Sequence, residues 1–220
     1  LKLPRNRKVL VVGDLHAPFT LPKYLPFCIS LYKKYKCNLV MFLGDIIDNH
    51  FTSFHDTDPE AHGGAKEFRL AYDMIQDWYK AFPEAMVCLG NHDTLPDRKM
   101  FNAGVVNNWR KSMETALDTP NWVYKERFII DGVKYTHGIG RKAHTRMKDD
   151  MISVVQGHYH SDSEIKYLDG DTHHNFSMQV GCGFDGESYA ARYAKNYKVQ
   201  AANAGVVLNN GTLPIIERML

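Results

Sequence analysis

The sequence predicts an α/β layered fold, and three observations carry that prediction. Short aliphatic runs recur along the chain, and each is closed by a glycine. Segments with apolar residues at helical spacing separate the first of these runs. The second half then changes character, to closely spaced strand-like runs and hairpin turns. Alternation of strand and helix favours sheets covered by helices. At 220 residues and 44% hydrophobic content the chain has enough material for one sizeable core, and it reads as a single domain over residues 1–220.

Taken in order, the first run is Val9 to Val12 in KVLVVGDLH. Continuous apolar runs of this length suit strands buried on both faces. LPKYLPFCISLYKKYK follows with apolar positions at helical spacing and a basic last turn, although Pro26 weakens its start. Leu39 to Leu43 repeats the strand pattern in NLVMFLGDIID. Residues 49–63, NHFTSFHDTDPEAHG, form the longest candidate loop and hold His50, His55, His62, Asp56 and Asp58. A loop of that length in a compact domain usually serves a function or moves. GGAKEFRLAYDMIQDWYKAF then places Phe68, Ala71, Tyr72, Ile75 and Trp78 (or Tyr79) on one helical face. Met86 to Leu89 makes a third run, in AMVCLGNHD.

NWVYKERFIIDGVKYTHG reads as successive strands with Asp131-Gly132 as a hairpin turn, and ISVVQGHYH as one more buried strand. VGCGFDGESYAARYAKNY carries Gly181, Gly183 and Gly186. These glycines suit a turn into a helix starting near Glu187, or a close backbone approach to a site. Tyr189, Tyr193 and Tyr197 would make a packing stripe on that helix first, and a base-stacking surface only second. The chain closes on a probable-hairpin pattern around Asn210-Gly211.

Composition narrows the function classes. A net charge of +2 does not mark a dedicated nucleic-acid binder, though it leaves room for a local basic cleft. No apolar run approaches about 18 residues, so no membrane-spanning helix is expected. Cys28, Cys37, Cys88 and Cys182 show no CxxC spacing and read as buried reduced thiols of a cytoplasmic protein. The chain begins with the basic LKLPRNRK at Leu rather than Met, which leaves room for a segment upstream.

Eleven histidines are many for this length, and their places carry the chemistry. Each strand–glycine junction is followed at once by metal-ligand residue types. The sets are Asp14 and His16, Asp45 and Asp48, Asn91 with His92 and Asp93, then His137, then His158 and His160. Taken singly, an aspartate after a strand is often a helix cap, and a loop histidine is more often a surface residue. Five junctions of one kind have no common structural explanation of that sort. Ligands in α/β sheets bind at the carboxyl ends of strands, so five such ends would bring these groups into one cleft. Carboxylate, imidazole and one amide oxygen, without thiolate, suit manganese, iron, zinc or nickel. The set is too large for one ordinary site and fits two ions that share a carboxylate.

GDLH, GDIID, GNHD, THG and GHYH, in that order, resemble the signature of calcineurin-like metallophosphoesterases, from about Val11 to His160. The compact length resembles prokaryotic and phage members of that superfamily. The resemblance implies a four-layer α/β/β/α sandwich with two mixed β-sheets and a dinuclear centre at the strand ends. By position it implies Asp14, His16 and His160 as ligands of one metal and Asn91, His137 and His158 as ligands of the other. Asp45 matches the bridging carboxylate. His92 matches the histidine beside the leaving group, and Asp48 the carboxylate that orients it. Asp93 fills a commonly acidic position without a ligand role. Two divalent ions, manganese first, are the implied cofactors, with a hydroxide between them as the attacking group.

The chain also departs from the family pattern. The phosphoprotein phosphatases read GDxxDRG at the second block, and the arginine grips phosphate. Here Asn49-His50 stands in its place, and Leu89 replaces the arginine before GNHD, so protein phosphatase activity is disfavoured. Tyr159 stands where threonine is common. For the missing phosphate grip the sequence offers Arg141 and Lys142 in GRKAHTRMK, against a reading of that stretch as a solvated helix face. His50 and His55 are candidates of the same kind from the long loop.

The reading that results is a metal-dependent phosphoesterase acting on a phosphomonoester or phosphodiester. Its partners would be a phosphorylated small molecule, a nucleotide or a nucleic acid, and no membrane. The rivals are a nuclease and a catalytically silent binding scaffold. The complete ligand set with His92 speaks against the scaffold.

Overall fold

The structure is a computed structural model, and it describes residues 3–54, 58–192 and 199–220. In chain order the elements are β1 (Val9–Val12), α1 (Tyr24–Tyr35), β2 (Leu39–Phe42), α2 (Gly64–Ala81), β3 (Ala85–Cys88), α3 (Leu95–Asn102), α4 (Met113–Leu117) and β4 (Trp122–Lys125). There follow β5 (Arg127–Ile130), β6 (Val133–Thr136), α5 (Ala143–Asp150), β7 (Ser153–Gln156), β8 (Glu164–Gly170), β9 (His173–Gln179), β10 (Asn203–Leu208) and β11 (Leu213–Arg218).

These strands form two mixed sheets. One has the order β11-β10-β1-β2-β3-β4, the other β5-β6-β7-β9-β8. In the first, β1 to β4 run parallel while β10 and β11 run antiparallel to their neighbours. In the second, β6 pairs in parallel with β7, and β7 with β9.

The alternation of side chains along each strand builds four layers. Leu10, Val12 and Phe42 face outward and pack with Leu31 of α1 and Ala71, Ile75 and Trp78 of α2. Val9, Val11 and Met41 face inward and meet Val133, Tyr135, Val155 and Met178 of the second sheet. On the far side Val154 packs with Ala143 and Met147 of α5. The result is an α/β/β/α sandwich. Strands β1, β2, β3 and β7 are buried at every position, as continuous apolar runs require.

Both hairpins fall where the turn residues put them. Asp131 and Gly132 have φ of 54° and 72°, the doubly left-handed pair a two-residue hairpin needs between Ile130 and Val133. Pro26 sits in the first turn of α1, where its missing N–H has no helical partner to lose. All four cysteines are buried and free.

The buried face of α2 is Glu67, Ala71, Ile75 and Trp78. Phe68, expected on that face, is turned outward, and a carboxylate is buried instead. Hydrogen-bond donors waiting beneath the helix explain the exchange, as described below. Of the helix expected from Glu187, the described part is one 3-10 turn, Tyr189–Ala191. Tyr193 and Tyr197 lie outside the described residues.

Helix α1 is pinned to the site edge by one buried phenol. The Gly13 N–H donates to Tyr24 Oη at 3.1 Å, and Tyr24 Oη–H donates to the Asn203 carbonyl at 2.8 Å. Tyr24→Phe strands both backbone groups in the interior. It is expected to cost about 1–3 kcal/mol, read as a lower urea midpoint at unchanged slope.

Candidate metal centre

The parallel pairing of β1, β2 and β3, and of β6 with β7, brings five carboxyl ends to one edge of the sandwich. The glycines that close these strands are there for close approach. A Cβ on Gly90 would meet Asp45 Oδ1 at 2.1 Å, and one on Gly157 would meet Asp14 Oδ1 at 2.3 Å. His16, Asp45 and His158 take positive φ of 50°, 46° and 71°. Such angles are uncommon outside glycine and persist where surroundings enforce them.

Two groups of ligand atoms result, Asp14, His16 and His160 on one side and Asp45, His137 and His158 on the other, and a third set, His16, Asp45 and His92, overlaps them. His160 Nε2 lies 3.1 Å from Asp14 Oδ2 and 3.1 Å from His16 Nε2. His158 Nδ1 lies 3.1 Å from His137 Nε2, and Asn91 Oδ1 is 2.9 Å from the same nitrogen. Asp45 Oδ2 stands between the groups, 3.1 Å from His137 Nε2 and 3.7 Å from His16 Nε2. The two histidines of GHYH thus divide between the groups. The turn is fixed by the His158 N–H, which donates to Asp14 Oδ2 at 3.0 Å, and by Gln179 Nε2, which donates to the Gly157 carbonyl.

The outer nitrogens of two of the ligand rings, His16 and His137, are already committed. His16 Nδ1–H donates to Asp48 Oδ1 at 2.7 Å, and His137 Nδ1–H donates to the Leu43 carbonyl at 3.0 Å. That tautomer leaves each Nε2 with a free lone pair directed inward, the arrangement metal-binding histidines use. Converging carboxylates, imidazole lone pairs and an amide oxygen fit a pair of divalent first-row cations.

Burial opposes charge on Asp45, but His137 beside it outweighs burial and holds the carboxyl well below the usual range. In the same way burial lowers the pKa of His137, and Asp45 and Asp14 raise it to about 10. A proton on His137 and a cation therefore compete for the same place. Burial, joined by the neighbouring His92 and His160, lowers the pKa of His16 well below its usual value against the pull of Asp45 and Asp14. His158 is lowered by burial and by His137.

His92 borders both groups. Its Nδ1–H donates to the Asp48 carbonyl at 2.7 Å, while the Asp48 carboxylate is 3.6 Å away. Asp48, expected to orient His92, accepts its hydrogen bond at the carbonyl, while the carboxylate stays within ion-pair range of that ring and accepts from His16. Burial works against a charged ring at His92, but Asp45 and Asp48 outweigh it and raise its pKa.

Asp93 turns out to be structural, a role the sequence did not reveal. Its Oδ1 accepts from the N–H groups of Ile46 and Ile47 at 2.9 and 3.2 Å, and its Oδ2 from that of Gly90 at 2.9 Å. One carboxylate thus latches the β2 loop to the β3 loop. The segment after β9 also reaches the site. Gly183 N–H donates to the Asp14 carbonyl at 2.8 Å, and the Phe184 ring lies 4.8 Å from that of His16. The glycines here make room for other neighbours, since a Cβ on Gly181 would meet the Ala201 carbonyl and one on Gly183 the Tyr24 ring, each at 2.0 Å.

The expected phosphate grips that the structure describes have partners within the chain. Arg141 pairs with Asp149 and Lys142 with Asp162, so both exposed cations are matched by carboxylates. His50 is buried against Tyr189, with Nε2 accepting from the Asp58 N–H. His55 lies outside the described residues.

The sequence matches the family model of the calcineurin-like phosphoesterases over residues 7–205. The chain belongs to this family. Among solved structures it is similar to a metallophosphoesterase from Sphaerobacter thermophilus, at 11% identity over 98% of this chain and 89% of that one, with a TM-score of 0.49. Vps29 from Chaetomium thermophilum shares 11% identity over 98% and 97% of the two chains, TM-score 0.48. The phosphoesterase Yfce of E. coli shares 12% over 92% and 88%, TM-score 0.44. Among curated proteins none matches by sequence. Among the described residues no helix is long and apolar enough to cross a membrane.

The donors beneath α2 explain its buried carboxylate. Glu67 Oε1 accepts from the His50 N–H at 2.7 Å and Oε2 from Tyr189 Oη at 3.3 Å. Burial and the nearby Asp48 charge push its pKa up to about 7. Between about pH 4.3 and 7 the folded chain keeps a proton that the unfolded chain has released. The stability that comes from this is complete below the window and lost as pH rises through it. Thermal melts of wild type and Glu67→Gln should therefore diverge with pH, the wild type losing ground from pH ~5 to ~8. Parallel curves would show that Glu67 does not titrate in this range.

Proposed function

We propose that this chain is a dinuclear metal-dependent phosphoesterase. The supporting observation is the place of Asp45 Oδ2, between His137 Nε2 at 3.1 Å and His16 Nε2 at 3.7 Å. One carboxylate oxygen is thereby shared by both ligand groups, with Asp14, His16 and His160 on one side and Asn91, His137 and His158 on the other. Manganese is the proposed pair, and iron, zinc or nickel suit the same donors. Held by these residues, two such cations would lower the pKa of a bound water and offset charge on the phosphate oxygens.

The chain's own groups account for the rest. Water oxygen bonds to phosphorus, its proton passes to solvent, and the ester P–O bond breaks. The leaving oxygen takes a proton from His92 Nε2, the nitrogen left free by the Nδ1–H bond to the Asp48 carbonyl. The ring regains a proton from solvent. Asp48 acts as a positioning residue, holding His16 through its carboxylate and His92 through its carbonyl. The low exposure of Asp14, Asp45 and His137 keeps bulk water from screening these interactions.

His92→Ala is expected to keep two equivalents of metal and lose about 10²–10⁴-fold in turnover of an unactivated ester. Asp45→Asn is expected to lose both metal and activity. Metal analysis beside phosphate release checks both. Wild-type turnover by His92→Ala would end the proton-donor assignment, and full metal content in Asp45→Asn would end the bridging one.

A further inference from the structure

Beside His92 lies an apolar cavity that the metal chemistry does not use. Its volume is about 410 Å³, and its walls include Phe51, Phe68, Met100, Trp109 and Met113. Asn49 and Asp93 line its inner end. Both belong to the loops that hold His92, since Asn49 Nδ2 donates to the His92 carbonyl at 3.0 Å and Asp93 is its chain neighbour. Helix α3 starts there too, with the Leu95 N–H donating to the same carbonyl. The cavity thus lies against the main chain of the residue proposed as proton donor.

The surface leading outward from it is aromatic and basic. Trp109 is 82% exposed, Phe101 72% and Phe54 53%. Single exposed apolar residues are ordinary, but Trp109 stands in the cavity wall and Phe54 lies under Arg98 and Lys99 of the adjoining helix, which together make a patch. Residues 95–113 carry Arg98, Lys99, Arg110 and Lys111 against the single carboxylate Asp97. Lys99 Nζ stands 4.2 Å and Arg98 Cζ 4.9 Å from the centre of the Phe54 ring. Among the described residues, no ion pair engages Arg98, Lys99 or Lys111, whereas Arg141 and Lys142 each have an acidic partner.

Aromatic faces interleaved with unmatched cations are complementary to a chain of bases and phosphates. An acidic peptide would satisfy the cations and leave the rings unused. We propose that this surface binds single-stranded nucleic acid, with the nucleobase on the leaving side of the scissile phosphate entering the cavity beside His92. The inference rests on the phosphoesterase reading above and narrows its substrate to a phosphodiester strand.

Trp109 supplies its own reporter, because Trp78 and Trp122 are 1% and 2% exposed. The manganese-loaded protein is titrated with a fluorescein-labelled phosphorothioate dodecathymidylate, and binding is read by anisotropy. Unlabelled strand is used to read tryptophan quenching. Quenching of Trp109 is expected, and Trp109→Ala should bind about 5- to 100-fold more weakly. The Lys99→Ala/Lys111→Ala double variant should reduce the log–log salt slope by about 1.4, or 0.7 per lost phosphate contact. Three results would overturn the proposal: no binding by wild type, wild-type affinity in Trp109→Ala, or equal competition by polyglutamate of matched charge. Hydrolysis of bis(p-nitrophenyl) phosphate by the same wild-type preparation separates the two readings. Hydrolysis without strand binding removes only this inference. Patch-dependent binding without hydrolysis, with any divalent metal, removes the phosphoesterase reading and leaves the surface.

Discussion

The edge of the sandwich is organised around the side chain of Asp45. Its Oδ1 accepts the His92 N–H at 2.8 Å, which ties the β2 loop to the β3 loop. Its Oδ2 reaches His137 of the second sheet and faces His16 of the first. Any side chain at position 90 would displace it. A buried carboxylate in this position needs positive charge around it. The imidazoles meet that need in part, and cations on the two ligand groups would meet it more fully. The left-handed backbone at His16, Asp45 and His158 follows from the same demand, because short loops must turn sharply to aim five strand ends at one point.

Asp45 and Asp93 are buried neighbours with opposite electrostatics. Histidines surround Asp45 and keep it ionised. Asp93 faces backbone N–H groups instead, and burial together with the Asp45 charge pushes it up to about 7. One carboxylate is thus available to cations, while the other closes the loop that carries the first. Environments that push two carboxyl groups apart separate their roles. Here the separation lies between binding and construction.

The five strand–glycine–ligand blocks were legible because each is local. A buried run, the close approach that demands glycine, and the ligand lie within a few residues of one another. The layers followed from the same runs. What stayed hidden depends on partners distant in sequence. Helical periodicity grouped Phe68 with Ala71 and Ile75, since it ranks side chains by apolarity and cannot see the His50 N–H or Tyr189 hydroxyl that draw Glu67 inward. The arginine and lysine after THG looked available because Asp149 and Asp162 become their partners only in three dimensions. Residues 94–121 offered no continuous apolar run, so α3 and α4 went unread.

That unread stretch is also the one least constrained by the sheets. The metal ligands sit at strand ends, and sheet pairing fixes their positions whatever the substrate. Helix α3 and the 3-10 turn at Asn107–Trp109 pair with no strand. They leave the core directly after His92 and fold back over the loop that precedes α2. Side chains there can be large, apolar and exposed without disturbing either sheet. A phosphate ester presents much the same group to any metal pair, so selectivity must come from what lies beside it. In this chain the segment beside His92 has the freedom to provide it, and its rings and unmatched cations are the groups that would.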